Sequence, residues 1–207
     1  MSAHAIPWEA GGRRLLEEAA EWRLVGLLFE CPTADWRDRV AALSSVMAGA
    51  ELRAAAEHAM AEASEGLYHS VFGPGGPAPA REASYQVSVQ LGYLMSELAG
   101  FYDAFAYRPA TPEAADHVSV EAGFVGYLRL KEAYALACSD AERAAATAEA
   151  AQRFLEDHLS VIAEPLAIAL RASGIRYMAL AGEALLGRVG PPRKVLPAPK
   201  CEADPSS

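Results

Sequence analysis

A run of seven residues, Gly73–Pro79, contains only glycine, proline and alanine and divides an otherwise helical sequence. Proline lacks the amide donor that a helix interior needs, and glycine loses much backbone entropy when a helix fixes it. This run, the Gly/Pro bend, therefore predicts a stiff, exposed turn. Aromatic residues flank it, with Tyr68 and Phe72 before it and Tyr85 after it. The bend either joins two groups of helices or forms the edge of a binding surface, and its composition does not decide between these roles.

Apolar residues recur at helical spacing on both sides of the bend. Asp116 is predicted to cap the helix that starts at His117, and Pro165 to lie in the first turn of its own helix. No segment has a convincing strand pattern. The sequence therefore predicts an all-α, single-domain bundle of about eight to ten helices. The second predicted helix is capped by Thr33 and runs to about Met47. The other predicted helices cover residues 13–30, 50–63, 64–72, 97–107, 117–137, about 139–159, 165–172 and 175–188.

The length of 207 residues suits one sizeable core and is short for two ordinary domains. Residues 11–188 are predicted to form the helical domain, residues 1–10 an irregular start, and residues 189–207 a proline-rich, disordered tail. The start has neither the basic nor the apolar region of a secretory signal, and no apolar run approaches the roughly 18 residues of a membrane span. We therefore expect a cytoplasmic protein without stable membrane insertion.

Charge and cysteine content restrict the possible partners. The chain has 18 Lys and Arg against 27 Asp and Glu, a net charge of −9. This charge repels phosphates and argues against a nucleic-acid partner, whereas it suits a basic partner or simply keeps a protein soluble. The cysteines, Cys31, Cys138 and Cys201, are far apart and show no CxxC spacing. The sequence therefore predicts neither a disulfide framework nor a zinc site.

Asp116, His117 and Glu121 form the second candidate site. His117 and Glu121 are four residues apart and would share one helix face, with Asp116 at its N-terminus. Such a group suits a binding site, half a metal site or an acid–base pair. In the simpler structural alternative, Asp116 caps the helix and Glu121 pairs with a nearby base. The bend lacks the Gly-Lys-Ser/Thr ending of a phosphate loop, and no nucleophile has recognisable surroundings. The residues therefore predict a binding module without catalytic site, cofactor or metal, and not an enzyme.

Three segments agree in order and spacing with one known family. They are Tyr68–Pro79 followed by Tyr85; Phe101–Phe124, which contains Asp-His-x-x-x-Glu; and Phe154–Leu159 followed by Pro165. Together they resemble the TorD/DmsD/NarJ family of molybdoenzyme maturation chaperones. The chain departs from the family pattern at several positions, which are Arg81, Ala83, Ala115, Ala122 and Ile162.

The resemblance implies a TorD-like fold and a system-specific chaperone, as a monomer or a domain-swapped dimer. Such a chaperone binds the catalytic subunit of a molybdopterin oxidoreductase through its twin-arginine leader peptide. It assists molybdenum cofactor insertion and folding before export or assembly. One alternative is a NarJ-type assembly factor for a nitrate-reductase-like subunit that is not exported. A less favoured one is a small helical metal protein or enzyme that uses His117 and Glu121.

A leader has a basic region and an apolar region, so its receptor needs acidic groups beside an apolar groove. Glu82, Asp116 and Glu121 are expected to supply the charge, and the bend one wall of the groove. His117 is expected to anchor the peptide backbone or to tune binding with pH. The residues predicted to bind the partner are Leu67, Tyr68, Phe72, Gly73, Pro74, Glu82, Tyr85, Tyr102, Asp116, His117 and Glu121.

Overall fold

The computed structural model describes residues 8–86 and 90–190, and these residues form nine α-helices. Within them the only β-type pairing is an isolated bridge between Arg81 and His117. The predicted all-α, single-domain bundle is confirmed. The helices are α1 (Ala10–Leu28), α2 (Trp36–Ser45), α3 (Ala50–Glu62), α4 (Glu65–Phe72), α5 (Leu91–Ala104), α6 (Val118–Ala137), α7 (Ala141–Phe154), α8 (Ser160–Ala172) and α9 (Arg176–Val189).

Some sequence predictions fall outside the described residues. These are the start over residues 1–7 and the proline-rich tail from residue 191 onward. Among residues 8–86 and 90–190, no helix combines the length and apolar character needed to cross a membrane.

Helix α6 is the centre of the bundle, with α1 and α7 packed against it. Glycines allow α1 and α6 to approach closely. A Cβ on Gly26 would lie 2.9 Å from the Ser119 carbonyl oxygen, and one on Gly126 would lie 3.0 Å from that of Ala19. On its other side, α6 buries Phe124 among aromatic rings, including those of Tyr102 and Phe154 with centroids at 4.9 and 4.8 Å. The start of α6 is thus held from several directions.

The last helix connects the two halves of the chain, because α9 packs against both α3 and α8. Its N-cap residue, Ile175, has no side chain that can cap. Glu62 of α3 takes this role, since its Oε1 accepts a hydrogen bond from the Tyr177 amide at 2.8 Å. A carboxylate is well suited to a helix N-terminus, where free amides and the helix dipole favour negative charge.

Three features of the helices differ from the sequence prediction. Pro165 does not lie in a first turn but inside α8. A π-helical segment, Leu155–Leu159, joins α7 to α8, so residues 141–172 form one continuous helical run. The helix predicted for residues 97–107 begins earlier, at Leu91, and ends at Ala104, just before Ala106 with its positive φ of 55°.

Candidate functional site

The Gly/Pro bend folds back onto the end of α4. The Ala78 amide donates to the Val71 carbonyl oxygen at 3.2 Å, and the Gly76 amide donates to that of Gly73 at 2.9 Å. Gly75 has a φ of +80°, and a Cβ on Gly76 would lie 2.2 Å from the Val71 carbonyl oxygen. These amides are used within the turn, so the bend is a closed loop and not an anion cradle. Its exposed residues include all three of its prolines, Pro74, Pro77 and Pro79.

The chain that leaves the bend pairs with the residues that precede α6. The Glu82 amide donates to the Asp116 carbonyl oxygen, and the Val118 amide to that of Ala80, both at 2.9 Å. These two hydrogen bonds flank the bridge between Arg81 and His117. The pairing brings together the two predicted halves of the site, which more than thirty residues separate in the sequence.

Asp116 does not cap α6, contrary to the sequence prediction. Its carboxylate is fully buried and faces the chain after the bend. It accepts hydrogen bonds from the Arg81 Nε at 2.8 Å and from the Ala83 amide at 3.4 Å, and it also pairs with the Arg81 Nη2 at 2.7 Å. The residue that caps α6 is His117. Pairing across the bridge therefore replaced the local capping that the sequence suggested.

His117 connects α6 to α4. Its Nδ1 accepts a hydrogen bond from the Ser119 amide at 3.2 Å, and its Nε2 lies 3.3 Å from the Tyr68 hydroxyl. That hydroxyl donates to the Glu113 Oε1 at 3.1 Å. Burial lowers the pKa of His117, although nearby carboxylates, first Glu113, oppose this. The ring is therefore neutral, with its proton on Nε2, because Nδ1 acts as the acceptor.

The structural alternative predicted that Glu121 pairs with a nearby base, and this prediction is wrong. Glu121 is fully buried, and no donor among the described residues reaches its carboxyl oxygens. Burial, followed by the neighbouring Glu82 carboxylate, raises the pKa of Glu121 well above its usual value. This shift favours the protonated form of the carboxyl group over the carboxylate. Glu82 also accepts from the Gln86 side-chain amide and lies 3.1 Å from the His158 Nδ1.

His158 was not among the predicted site residues, although it belongs to the Phe154–Leu159 segment of the family resemblance. It lies in the π-helical segment and is almost fully buried. Its ring packs against Phe154 and Phe101, with centroids at 4.7 and 5.6 Å. Because 76 positions separate it from Glu82, spacing along the sequence could not place it in this cluster. π-Helical turns often mark functional positions in proteins.

The predicted aromatic residues hold the bend and the loop before α6 in place. Tyr68 packs on Phe72 with centroids at 5.1 Å. The Tyr85 hydroxyl donates to the Pro79 carbonyl oxygen, and the Tyr102 hydroxyl to that of Ala115, both at 2.8 Å. Burial raises the pKa of Tyr85 to about 12 and raises that of Tyr102 further. Both phenols therefore remain protonated donors at neutral pH.

Accessibility divides the predicted site into two groups. Pro74 is exposed, and four further residues are half-buried: Leu67, Phe72, Gly73 and Tyr85. The remaining six are buried: Tyr68, Glu82, Tyr102, Asp116, His117 and Glu121. The three carboxylates expected to face a basic partner thus lie in the interior. Among the described residues, neither His117 nor Glu121 belongs to a group of three closely spaced potential metal ligands.

Sequence reasoning missed a cavity of about 400 Å³ between α1 and α6. It is lined mainly by apolar residues, and none of the predicted site residues contributes to it. Two arginines at the cavity are paired, Arg23 with Glu30 and Arg108 with Asp103, each at 2.9 Å. The sequence signal that could have indicated this cavity is the small residues of α6, because Gly123 and Gly126 line it.

The sequence model of the family described as nitrate reductase delta subunit matches residues 31–167, more than half of the chain. The matched range contains the bend, α5, α6 and every residue predicted to bind a partner. No curated protein and no solved structure gives a significant match.

Proposed function

The chain belongs to the nitrate reductase delta subunit family, and we propose that it binds the catalytic subunit of a molybdopterin oxidoreductase through a twin-arginine leader peptide. The family is one of TorD/NarJ-type chaperones for molybdoenzyme maturation, not of enzymes. The chaperone would act in the cytoplasm and hold its partner until the cofactor is inserted and the subunit is folded. The observation that carries this proposal is the family match over residues 31–167.

The proposed contact surface is the accessible part of the predicted site. Half-buried Leu67 and Phe72 of α4 and the exposed Pro74 of the bend provide apolar area. Two carboxylates add negative charge to this surface. Glu65 has a side chain that is 73% exposed, and Glu113, which accepts the Tyr68 hydrogen bond, is 27% exposed. Such a combination suits a peptide with a basic and an apolar part.

The buried carboxylates take a different role in this proposal. Glu82, Asp116 and Glu121 are fully buried, so a bound leader would not touch them in this conformation. We assign them a positioning role, because they fix the chain after the bend against α6. Glu65 and Glu113 replace them as the acidic groups that meet the basic residues of the leader.

Binding of purified proteins tests the function. The partner is the molybdopterin oxidoreductase subunit of the same organism, used with its leader and without it. The leader is also used alone, as a synthetic peptide. We expect the leader peptide to bind, and leader removal to weaken binding of the subunit at least tenfold. Absence of binding to both forms of the subunit would overturn the proposal.

Paired variants test the surface separately from the function. The double variant Glu65→Gln/Glu113→Gln removes two negative charges, so we expect weaker leader binding that depends less on salt. Glu57→Gln, at an exposed position of α3, is the control with no expected effect. Leader binding that is unchanged in the double variant would reject this surface while leaving the chaperone function in place.

The description of the matched family, nitrate reductase delta subunit, favours a second candidate. In this candidate the chain is an assembly factor for a nitrate-reductase-like subunit that is not exported. Equal binding of the subunit with and without its leader, and no binding of the peptide alone, would select this candidate over the first.

A further inference from the structure

Three potential metal ligands from two distant parts of the sequence meet at α4, the helix before the Gly/Pro bend. They are the Cys31 Sγ, a Glu65 carboxylate oxygen and a His69 ring nitrogen, all within 4.8 Å of one another. Glu65 and His69 are four residues apart on α4 and therefore share a face. Cys31 lies just after α1, and Phe29, the residue that follows α1, contacts Phe72 of α4 with ring centroids at 6.3 Å. Contact of the segment after α1 with α4 thus assembles a group that cysteine spacing did not indicate.

We propose that Cys31, Glu65 and His69 bind a divalent metal ion of the zinc class. Thiolate, imidazole and carboxylate are the ligands that zinc uses in proteins, and three protein ligands leave a fourth position for water or a partner's group. Bonds of about 2.0–2.3 Å place tetrahedral ligands about 3.5 Å apart. The side chains of Glu65 and His69 are exposed, so they have room to rotate towards this spacing.

The local charge favours a cation. The carboxylates of Glu65 and Glu113 both act electrostatically on the Cys31 thiol. The same negative groups attract a divalent ion, which binds Cys31 as thiolate while the thiol proton passes to solvent. Binding involves no redox step. The ion would join the end of α1 to α4, and this role does not depend on the identity of any protein partner.

Titration of the untagged, metal-free full chain tests the site. We expect Zn²⁺ to bind at one ion per chain in competition with a chromophoric chelator. Co²⁺ should give the charge-transfer absorption of a thiolate ligand. Cys31→Ser should abolish that absorption, and both Cys31→Ser and His69→Ala should weaken Zn²⁺ binding at least tenfold. Because His69 is exposed, its variant should keep the circular dichroism of the unmodified chain.

Control variants separate this site from adventitious binding. Cys138→Ser/Cys201→Ser removes the other two thiols, and His58→Ala removes an exposed histidine of α3. All three substitutions should leave affinity and stoichiometry unchanged. The proposal is overturned if Zn²⁺ fails to saturate at one ion per chain, or if Cys31→Ser and His69→Ala retain full affinity.

Discussion

Arg81 and Asp116 form an ion pair that is buried on one side only. The Arg81 Nη2 lies 2.7 Å from the Asp116 Oδ1, and the aspartate side chain is fully buried whereas that of the arginine is 44% exposed. The charge of Asp116 is therefore compensated inside the chain. At this point the molecule presents a guanidinium group to its surroundings, not the carboxylate that the sequence led us to expect.

Arg81→Ala should lower the free energy of unfolding by about 2 kcal/mol, because a buried carboxylate loses its charged partner. The expected loss lies below that of a fully buried pair, since water can reach the vacated position. Urea denaturation measures it. Arg14→Ala, which breaks a surface pair with Glu18, is the control and should change stability by less than about 0.5 kcal/mol. Equal effects of the two substitutions would contradict a structural role for Arg81.

Glu121→Gln should stabilise the protein increasingly as the pH rises. The folded pKa of Glu121 is raised by burial and by Glu82, whereas the unfolded value is about 4.3. The neutral carboxyl therefore supports folding fully below about pH 4.3, and this contribution is lost as the pH rises towards the folded value. The loss is at most about 1.4 kcal/mol per pH unit, and glutamine avoids it.

Thermal unfolding between pH 4 and pH 8 checks this prediction. The exposed Glu57→Gln serves as the reference. The difference in unfolding temperature between Glu57→Gln and the unmodified chain should stay nearly constant with pH. A difference for Glu121→Gln that is equally flat would show that Glu121 is ionised in the folded protein.

His117→Ala should cost about 1 kcal/mol, because it removes the N-cap of α6. His117→Asn restores a capping oxygen and should recover most of the loss. The lowered pKa of His117 adds a second signature. The neutral His117 ring contributes fully to stability above about pH 6.5, its pKa in the unfolded chain. This contribution is lost as the pH falls towards the pKa of His117 in the folded protein. On acidification His117→Asn should therefore gain stability relative to the unmodified chain, and parallel pH curves would exclude a neutral buried histidine.

Gly26→Ala should destabilise the protein by about 1–3 kcal/mol, because its Cβ would meet the backbone of α6 at 2.9 Å. Gly11→Ala in the same helix has no atom within 4 Å of the new Cβ. It should stabilise α1 by about 0.5–1 kcal/mol through helix propensity alone. Chemical denaturation of both variants measures the difference, and a neutral Gly26→Ala would mean that the two helices can separate without loss.

The fold was predictable because helices depend on local signals. The apolar periodicity of α1 and α6 and the Gly/Pro bend are readable within short windows of sequence. The prediction for Asp116 was wrong because of residues far apart in the sequence, whereas the prediction for Pro165 missed a π-helical segment close by. Asp116 lost its capping role to a bridge with the chain after the bend, and Pro165 entered α8 because a π-helical segment carries the helix through.

The candidate site was predictable only in part, because it is assembled from residues that lie far apart in the sequence. The family resemblance named both sides of the bend, but burial of Glu82, Asp116 and Glu121 depends on how α4, α6 and the π-helical segment pack. The contact between Glu82 and His158 spans 76 positions. No local pattern in the sequence carries that information.

The π-helical segment Leu155–Leu159 also fixes the rotational phase of everything that follows it. A π turn accommodates one residue more than the corresponding α turn. Deleting that extra residue would therefore restore an uninterrupted α-helix and leave the phase of α8 relative to α7 nearly unchanged. Leu166 and Leu170 would then stay buried in α8. Deleting a residue of α7 or α8 would instead rotate the residues that follow it by about 100° about the helix axis. The π-helical segment should accordingly tolerate the loss of one residue better than the α-helices on either side of it.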